Sequence, residues 1–185
     1  IAKPQGSISS PELAVIYQDY DNIVVPSAAG FASTQLTANG SVVPLKTVSV
    51  AGGTYNGGVY RTSQDKGTVE FRVYGVTGGK KKELSKVTYR VRPFPKADVT
   101  TTNLKKGQGG LVSVALPEGV PLVASFNIES WELTDGMNNT RGTGKVIPGS
   151  NPVLSKAKIG QQLILTVKYK RVGSAKTITR STSVT

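Results

Sequence analysis

Asp19 and Asp21 stand two apart with Asn22 behind them, and carboxylates so spaced can open a Ca²⁺ loop. Such a loop needs a further oxygen ligand and then a Gly for the sharp turn, where this chain has Ile23 and Val24. The pattern fails, and the segment reads as turn chemistry, because Asp and Asn side chains hydrogen-bond nearby backbone. Glu129 and Glu132 could form a glycosidase-like pair of carboxylates. Three apart on a strand, they point to opposite faces. Arg141-Gly142-Thr143-Gly144-Lys145-Val146 is phosphate-loop-like, but that motif needs Gly where Asn139 stands and Ser or Thr where Val146 stands. Gly107-Gln108-Gly109-Gly110 precedes a strand pattern and opens no helix, so it is not a dinucleotide fingerprint. Lys80-Lys81-Lys82 could meet phosphates, yet the run reads as a solvated hairpin tip.

The chain has neither Cys nor His. Thiol catalysis, thiolate metal sites and disulfides are excluded, and the commonest general base and metal ligand are missing. These absences argue against an enzyme, and the reading assigns no catalytic residue, cofactor or metal. The formal charge of +12 divides evenly, with 12 basic and 6 acidic residues in 1–96 and 11 and 5 in 97–185. That field favours acidic partners in general. Nucleic-acid binding would want aromatics interleaved with basic residues on one platform. Here the Tyr and Phe residues fall mostly at alternating, core-type positions, so neither nucleic acid nor a small-molecule substrate is expected.

The elements that would position such residues are strands. Leu13–Tyr17 and Ile23–Val25 have the β-branched and aromatic character of strands, joined through Gln18–Asn22, with Pro26 expected to stop the second. Val69, Phe71 and Val73 alternate with Glu70 and Arg72, and Val87, Tyr89 and Val91 repeat the scheme. Asn39-Gly40 marks a hairpin between 34–38 and 41–45. Pro93-Phe94-Pro95-Lys96-Ala97 cannot sit in a central strand and reads as a stiff boundary. Beyond it, Leu111–Leu116 is a strand closed by Pro117. Val120–Leu133 is a long run whose inward phase shifts between Ile128 and Trp131, which predicts a bulge. Asp135–Asn151 is rich in Gly, Asn and Thr and reads as a long loop. Leu163, Leu165, Val167 and Tyr169 alternate inward, and 176–184 is a final polar strand.

The chain is therefore expected to be all-β, two tandem immunoglobulin-like β-sandwich domains at 1–95 and 96–185 joined by a short Pro-containing linker. No window holds the roughly 18 apolar residues of a membrane span. The start at Ile1, without a signal-peptide pattern, reads as a piece of a longer protein. Trp131 is expected in the core. Met137, Arg141 and Lys145, in the Gly-rich stretch, are the candidates for a partner surface, since Met and Arg are enriched at interfaces. Asn39-Gly40-Ser41 and Asn138-Asn139-Thr140 match the glycosylation tripeptide, a pattern that chance often supplies.

Leu13-Ala14-Val15-Ile16-Tyr17 followed by Asp21-Asn22-Ile23-Val24-Val25-Pro26 resembles the periplasmic part of the PorM/GldM family of type IX secretion and gliding motility. The likeness continues through Gly53-Thr54-Tyr55 and Tyr89-Arg90-Val91-Arg92-Pro93-Phe94-Pro95, and more loosely through Phe126-Asn127-Ile128 and Ile159-Gly160-Gln161-Gln162-Leu163. It covers most of the chain, less specifically in the second half, and it is closer to the secretion branch. The resemblance implies the last two periplasmic domains of an inner-membrane-anchored protein. It further implies a homodimeric shaft, a PorL/GldL-like membrane partner reached through a region absent here, and a C-terminal domain docking on PorK/PorN-like (GldK/GldN-like) ring proteins. The implied role is mechanical. The competing reading is a carbohydrate-binding or adhesion sandwich, which would need an exposed aromatic platform.

Overall fold

In the computed structural model, residues 5–9, 15–50 and 52–185 are described; Leu13 and Ala14 of the first expected strand lie outside them. The chain divides into two compact units, Ile1–Phe94 and Pro95–Thr185. Both are immunoglobulin-like β-sandwiches.

The first unit contains β1 (Gln5–Ser9), β2 (Val15–Tyr17), β3 (Asn22–Ala29), β4 (Ser33–Ala38), β5 (Ser41–Val43), β6 (Leu45–Val50), β7 (Gly53–Tyr60), β8 (Thr68–Thr77) and β9 (Lys80–Arg92). One sheet has the order β1-β3-β7-β6 and the other β2-β9-β8-β4-β5. β1 lies antiparallel to β3, whereas β2 runs parallel to β9. The amino-terminal strand segments thus edge both sheets, and the rest follows the Greek-key order of immunoglobulin domains. In place of an inter-sheet disulfide, the core is closed by Val24, Leu36 and Phe71, all fully buried, and by Val69, Tyr89 and Val91. Phe71 meets Tyr60 edge-on at 5.3 Å and Tyr89 at 5.6 Å, separations at which aromatic pairs attract beyond their area burial.

The second unit contains β10 (Asp98–Lys105), β11 (Gly109–Ala115), β12 (Phe126–Thr134), β13 (Asn139–Thr143), β14 (Val146–Pro148), a short helix α1 (Pro152–Lys156), β15 (Leu163–Arg171) and β16 (Thr177–Val184). Its sheets are β10-β11-β14 and β13-β12-β15-β16. Trp131, Leu133, Ile147, Leu165, Val167 and Tyr169 fill the space between them. Leu163, Leu165, Val167 and Tyr169 are all buried, as period-two alternation requires of a strand with one wet face. The register of β12 on β15 shifts between Ile128 and Ser130, which is where the change of phase predicts a bulge.

Five expectations are corrected. Pro26 does not stop its strand: β3 runs to Ala29. β3 pairs β7 only as far as Val24 and pairs β1 from Val25 onward, so Pro26 sits where the strand has one partner, the setting that tolerates a missing N–H. The hairpin after Asn39-Gly40 ends at Val43, and beyond Pro44 the chain enters the other sheet as β6. Lys80–Lys82 are the first residues of β9, not a loop tip, because Gly78-Gly79 alone make the turn. Asp135–Asn151 is no loop either. It contributes β13 and β14, and Asn151 caps α1 with Pro152 in its first turn. β13 carries no apolar side chain and β14 is only three residues long, so composition hid them. The run from Val120 likewise becomes strand only at Phe126.

Candidate functional site

The three residues singled out as a partner surface all follow from the β12–β13 hairpin. Thr134 pairs Asn139, and the four residues between them form the tip. Asp135 builds that tip: its Oδ1 accepts the amides of Met137 at 2.9 Å and Asn138 at 2.7 Å, while Asn138 Nδ2 donates to Oδ2 at 3.2 Å. Met137 stands on this turn at 93% exposure. Arg141 lies directly across from Glu132 and donates from Nε to Oε2. Its side chain is largely exposed, so the pair adds little stability. Lys145 follows Gly144 at the corner where the chain leaves this sheet, and its carbonyl accepts the Val112 amide at 2.7 Å across the other sheet. Met137 thus lies in the turn before β13, Arg141 within β13 and Lys145 past its end. The structure does not gather them into one cluster.

The hydrogen bonds to Asp135 favour its ionised form, the Asn138 amide most, then the Met137 amide, and its carboxyl is held below the ordinary value. A depressed pKa means that the turn is closed above the unfolded Asp range and is released as pH falls through the lowered value. The Met137 and Asn138 amide resonances are expected to titrate together on acidification, with a midpoint below that of an unstructured Asp. An amide titration by NMR that finds an ordinary Asp midpoint would contradict this geometry.

The motif-like segments have structural explanations. Gly142 lies opposite Trp131, and a Cβ there would overlap Cζ2 and stand 2.6 Å from Cε2 of the indole. Trp131 is buried and donates from Nε1 to the Val146 carbonyl at 3.1 Å. The glycine thus makes room for a ring, not for a phosphate. The register shift between Ile128 and Ser130 brings Glu129 and Glu132 to the same outer face and not to opposite ones, yet Glu129 pairs with Lys170 at 3.1 Å and Glu132 with Arg141, so the two carboxylates are engaged separately. Asp21 meets Arg61 at 3.1 Å. Lys81 sits 5.0 Å from the Tyr74 ring centroid, a cation–π distance. Burial pushes the Tyr89 and Tyr169 hydroxyls up, away from the range in which a phenol exchanges protons near neutrality. Among the described residues, no three His, Cys, Asp or Glu side chains are grouped to hold a metal ion, and no helix is long and apolar enough to cross a membrane. The tripeptide residues Asn39 and Asn138 are both in turns, with Asn39 Oδ1 accepting the Glu70 amide at 2.9 Å.

Sequence reasoning missed a cavity of about 260 Å³ at one end of the second unit. Leu104, Leu154, Leu163 and Val184 floor it, and lysines from the β10–β11 turn and from the segment after α1 stand at its rim. The pair Lys105-Lys106 and the spacing Lys156-x-Lys158-Ile159-Gly160 were the available signals.

No family model and no curated protein matches the chain. Among solved structures, a β-glucuronidase of Parabacteroides merdae aligns over 100% of this chain and 24% of its own, at 16% identity and a TM-score of 0.31. An ICAM-5 D1–D4 ectodomain fragment aligns over 100% and 47%, at 10% identity and a TM-score of 0.37. A Dscam structure aligns over 98% and 50%, at 13% identity and a TM-score of 0.33. The chain spans about a quarter of the glucuronidase. These likenesses carry no functional argument.

Proposed function

We propose that the chain is a structural and interaction module, the last two periplasmic domains of a PorM/GldM-like shaft in type IX secretion. The observation that carries this reading is where the family-like residues fall. Val15–Tyr17 form β2, Gly53–Tyr55 open β7, Tyr89–Arg92 close β9 and Phe126–Ile128 open β12. All of these are framework positions. Phe94, between the two prolines, packs with Tyr17 at 6.4 Å and with Tyr20 at 5.6 Å. Those contacts root Phe94 in the first sandwich. The proposed shaft is homodimeric and meets PorK/PorN-like ring proteins.

The test is co-purification of the 185-residue chain with PorK/PorN-like ring proteins, together with sedimentation mass. Ring binding and a dimer mass are expected. A strictly monomeric mass with no ring binding would sink the reading, and saturable affinity for oligosaccharides would replace it with a carbohydrate-binding module.

A further inference from the structure

We infer that the end cavity of the second unit is a docking site for an acidic peptide segment that inserts one apolar side chain. The inference stands on the chemistry of the cavity and not on the shaft reading. Its floor is aliphatic, and Lys105, Lys106 and Lys158 stand around the mouth. Among the described residues, no Asp or Glu side chain lines it. Glu129 and Glu132 on β12 and Asp135 in the hairpin turn are engaged elsewhere. Thr185, the last residue of the 185-residue chain, also lines it, and every charged side chain at the rim is a lysine; an apolar floor under such a rim selects an occupant that is apolar at its centre and anionic around it.

The rim is a built feature. Lys106 Nζ donates to the Ala157 carbonyl at 3.0 Å, tying the β10–β11 turn to the exit of α1, and an ammonium keeps two further donors. Residues 158–161 close a turn in which the Gln161 amide donates to the Lys158 carbonyl at 3.0 Å, and the Lys158 amide donates to Gln161 Oε1 at 2.9 Å. Gly160, at φ +76°, supplies the conformation that the third position of such a turn demands. The turn holds Ile159 fully exposed beside the cavity, apolar surface that an apposed segment would cover.

Size decides the class of occupant. About 260 Å³ is below the ~300–1,000 Å³ typical of sites that engulf a small molecule, but it admits one large side chain as an anchor, as interface hot spots do. Among the described residues no aromatic lines it, so it offers no stacking platform for a nucleic-acid base.

The test is an amide NMR titration of the full chain with the capped peptide Glu-Asp-Leu-Asp-Glu, with a matched peptide carrying Ser for Leu, and with anionic phosphatidylglycerol vesicles. Saturable shifts at Leu104, Ala157–Gln161 and Val184 are expected with the Leu peptide. They should weaken at least about tenfold in the Lys105→Glu/Lys158→Glu variant and fall with added salt. Both lysines are exposed; should that variant misfold, Lys158→Ala with Ile159→Ser gives the same readout. Equal response to the Ser peptide, shifts elsewhere on the surface, no saturation, or a response to vesicles alone would each overturn the proposal.

Discussion

Substituting Asn22 by alanine is expected to remove about 3–5 kcal/mol from the stability of the first unit, a large share of the ~5–15 kcal/mol a domain holds. Asn22 is 3% exposed. Its Oδ1 accepts the Tyr17 amide at 2.8 Å, and its Nδ2 donates to the carbonyls of Tyr17 and Tyr20 at 2.9 Å and of Tyr60 at 3.1 Å. One side chain therefore satisfies backbone groups of β2, of the following turn and of β7. Alanine leaves those groups in place and removes their side-chain partner; the Tyr20 carbonyl keeps the amide of residue 22 at 3.0 Å, while the Tyr17 amide and carbonyl lose theirs, and each buried orphan costs roughly 1–3 kcal/mol, less where water can reach. Aspartate is no rescue, because it keeps the acceptor, loses the donors and buries a charge. Urea unfolding of the first unit should show a lower midpoint with unchanged slope. A loss under about 1 kcal/mol would mean that the turn is held by something other than this side chain.

Asn22 also shows how far the sequence could be read. Its residue type in Gln18–Asn22 announced a turn, since Asn satisfies local backbone. Its bond to Tyr60, 38 residues away, is a product of pairing and has no local signature. The same division runs through the fold. β8 and β15 were legible because one face is buried and the other wet, so burial wrote an alternation into the residues. β13 and β14 were not, because an edge strand can be specified by its partner's backbone. In β13 the Gly that looks like loop chemistry answers to Trp131. The helix was legible in hindsight, with Asn151 as cap and Pro152 behind it. The partner-surface residues were chosen by type, and type cannot say that Met137 and Lys145 lie at opposite ends of an edge strand. The end cavity stayed hidden because its lysines come from segments some 50 residues apart, which only the closed sandwich brings together.

Gly109→Ala is expected to cost the second unit about 3 kcal/mol or more, whereas Gly107→Ala, two residues earlier, should cost about 1. Both glycines have left-handed backbone, φ +78° and +77°. Around Gly107 nothing lies within 4 Å of an added Cβ, so alanine there meets conformational strain alone. At Gly109 the added Cβ would overlap the Ile147 carbonyl oxygen and stand 2.7 Å from the Gly149 nitrogen and 2.8 Å from the Pro148 carbonyl carbon. Those atoms are backbone of β14 and its exit, which cannot rotate aside as a side chain can. Relief requires β14 to move off β11 along a pairing of only three residues. Ile147, 1% exposed in the core, and the Val146 carbonyl that accepts from Trp131 would move with it. At roughly 4–8 °C of melting temperature per kcal/mol in a domain of this size, the two variants should separate clearly. Loss of amide protection at Leu111 and Val112 is expected in Gly109→Ala and not in Gly107→Ala. Equal melting shifts for the two would show that backbone conformation alone, and not the close approach of β14, sets the need for glycine.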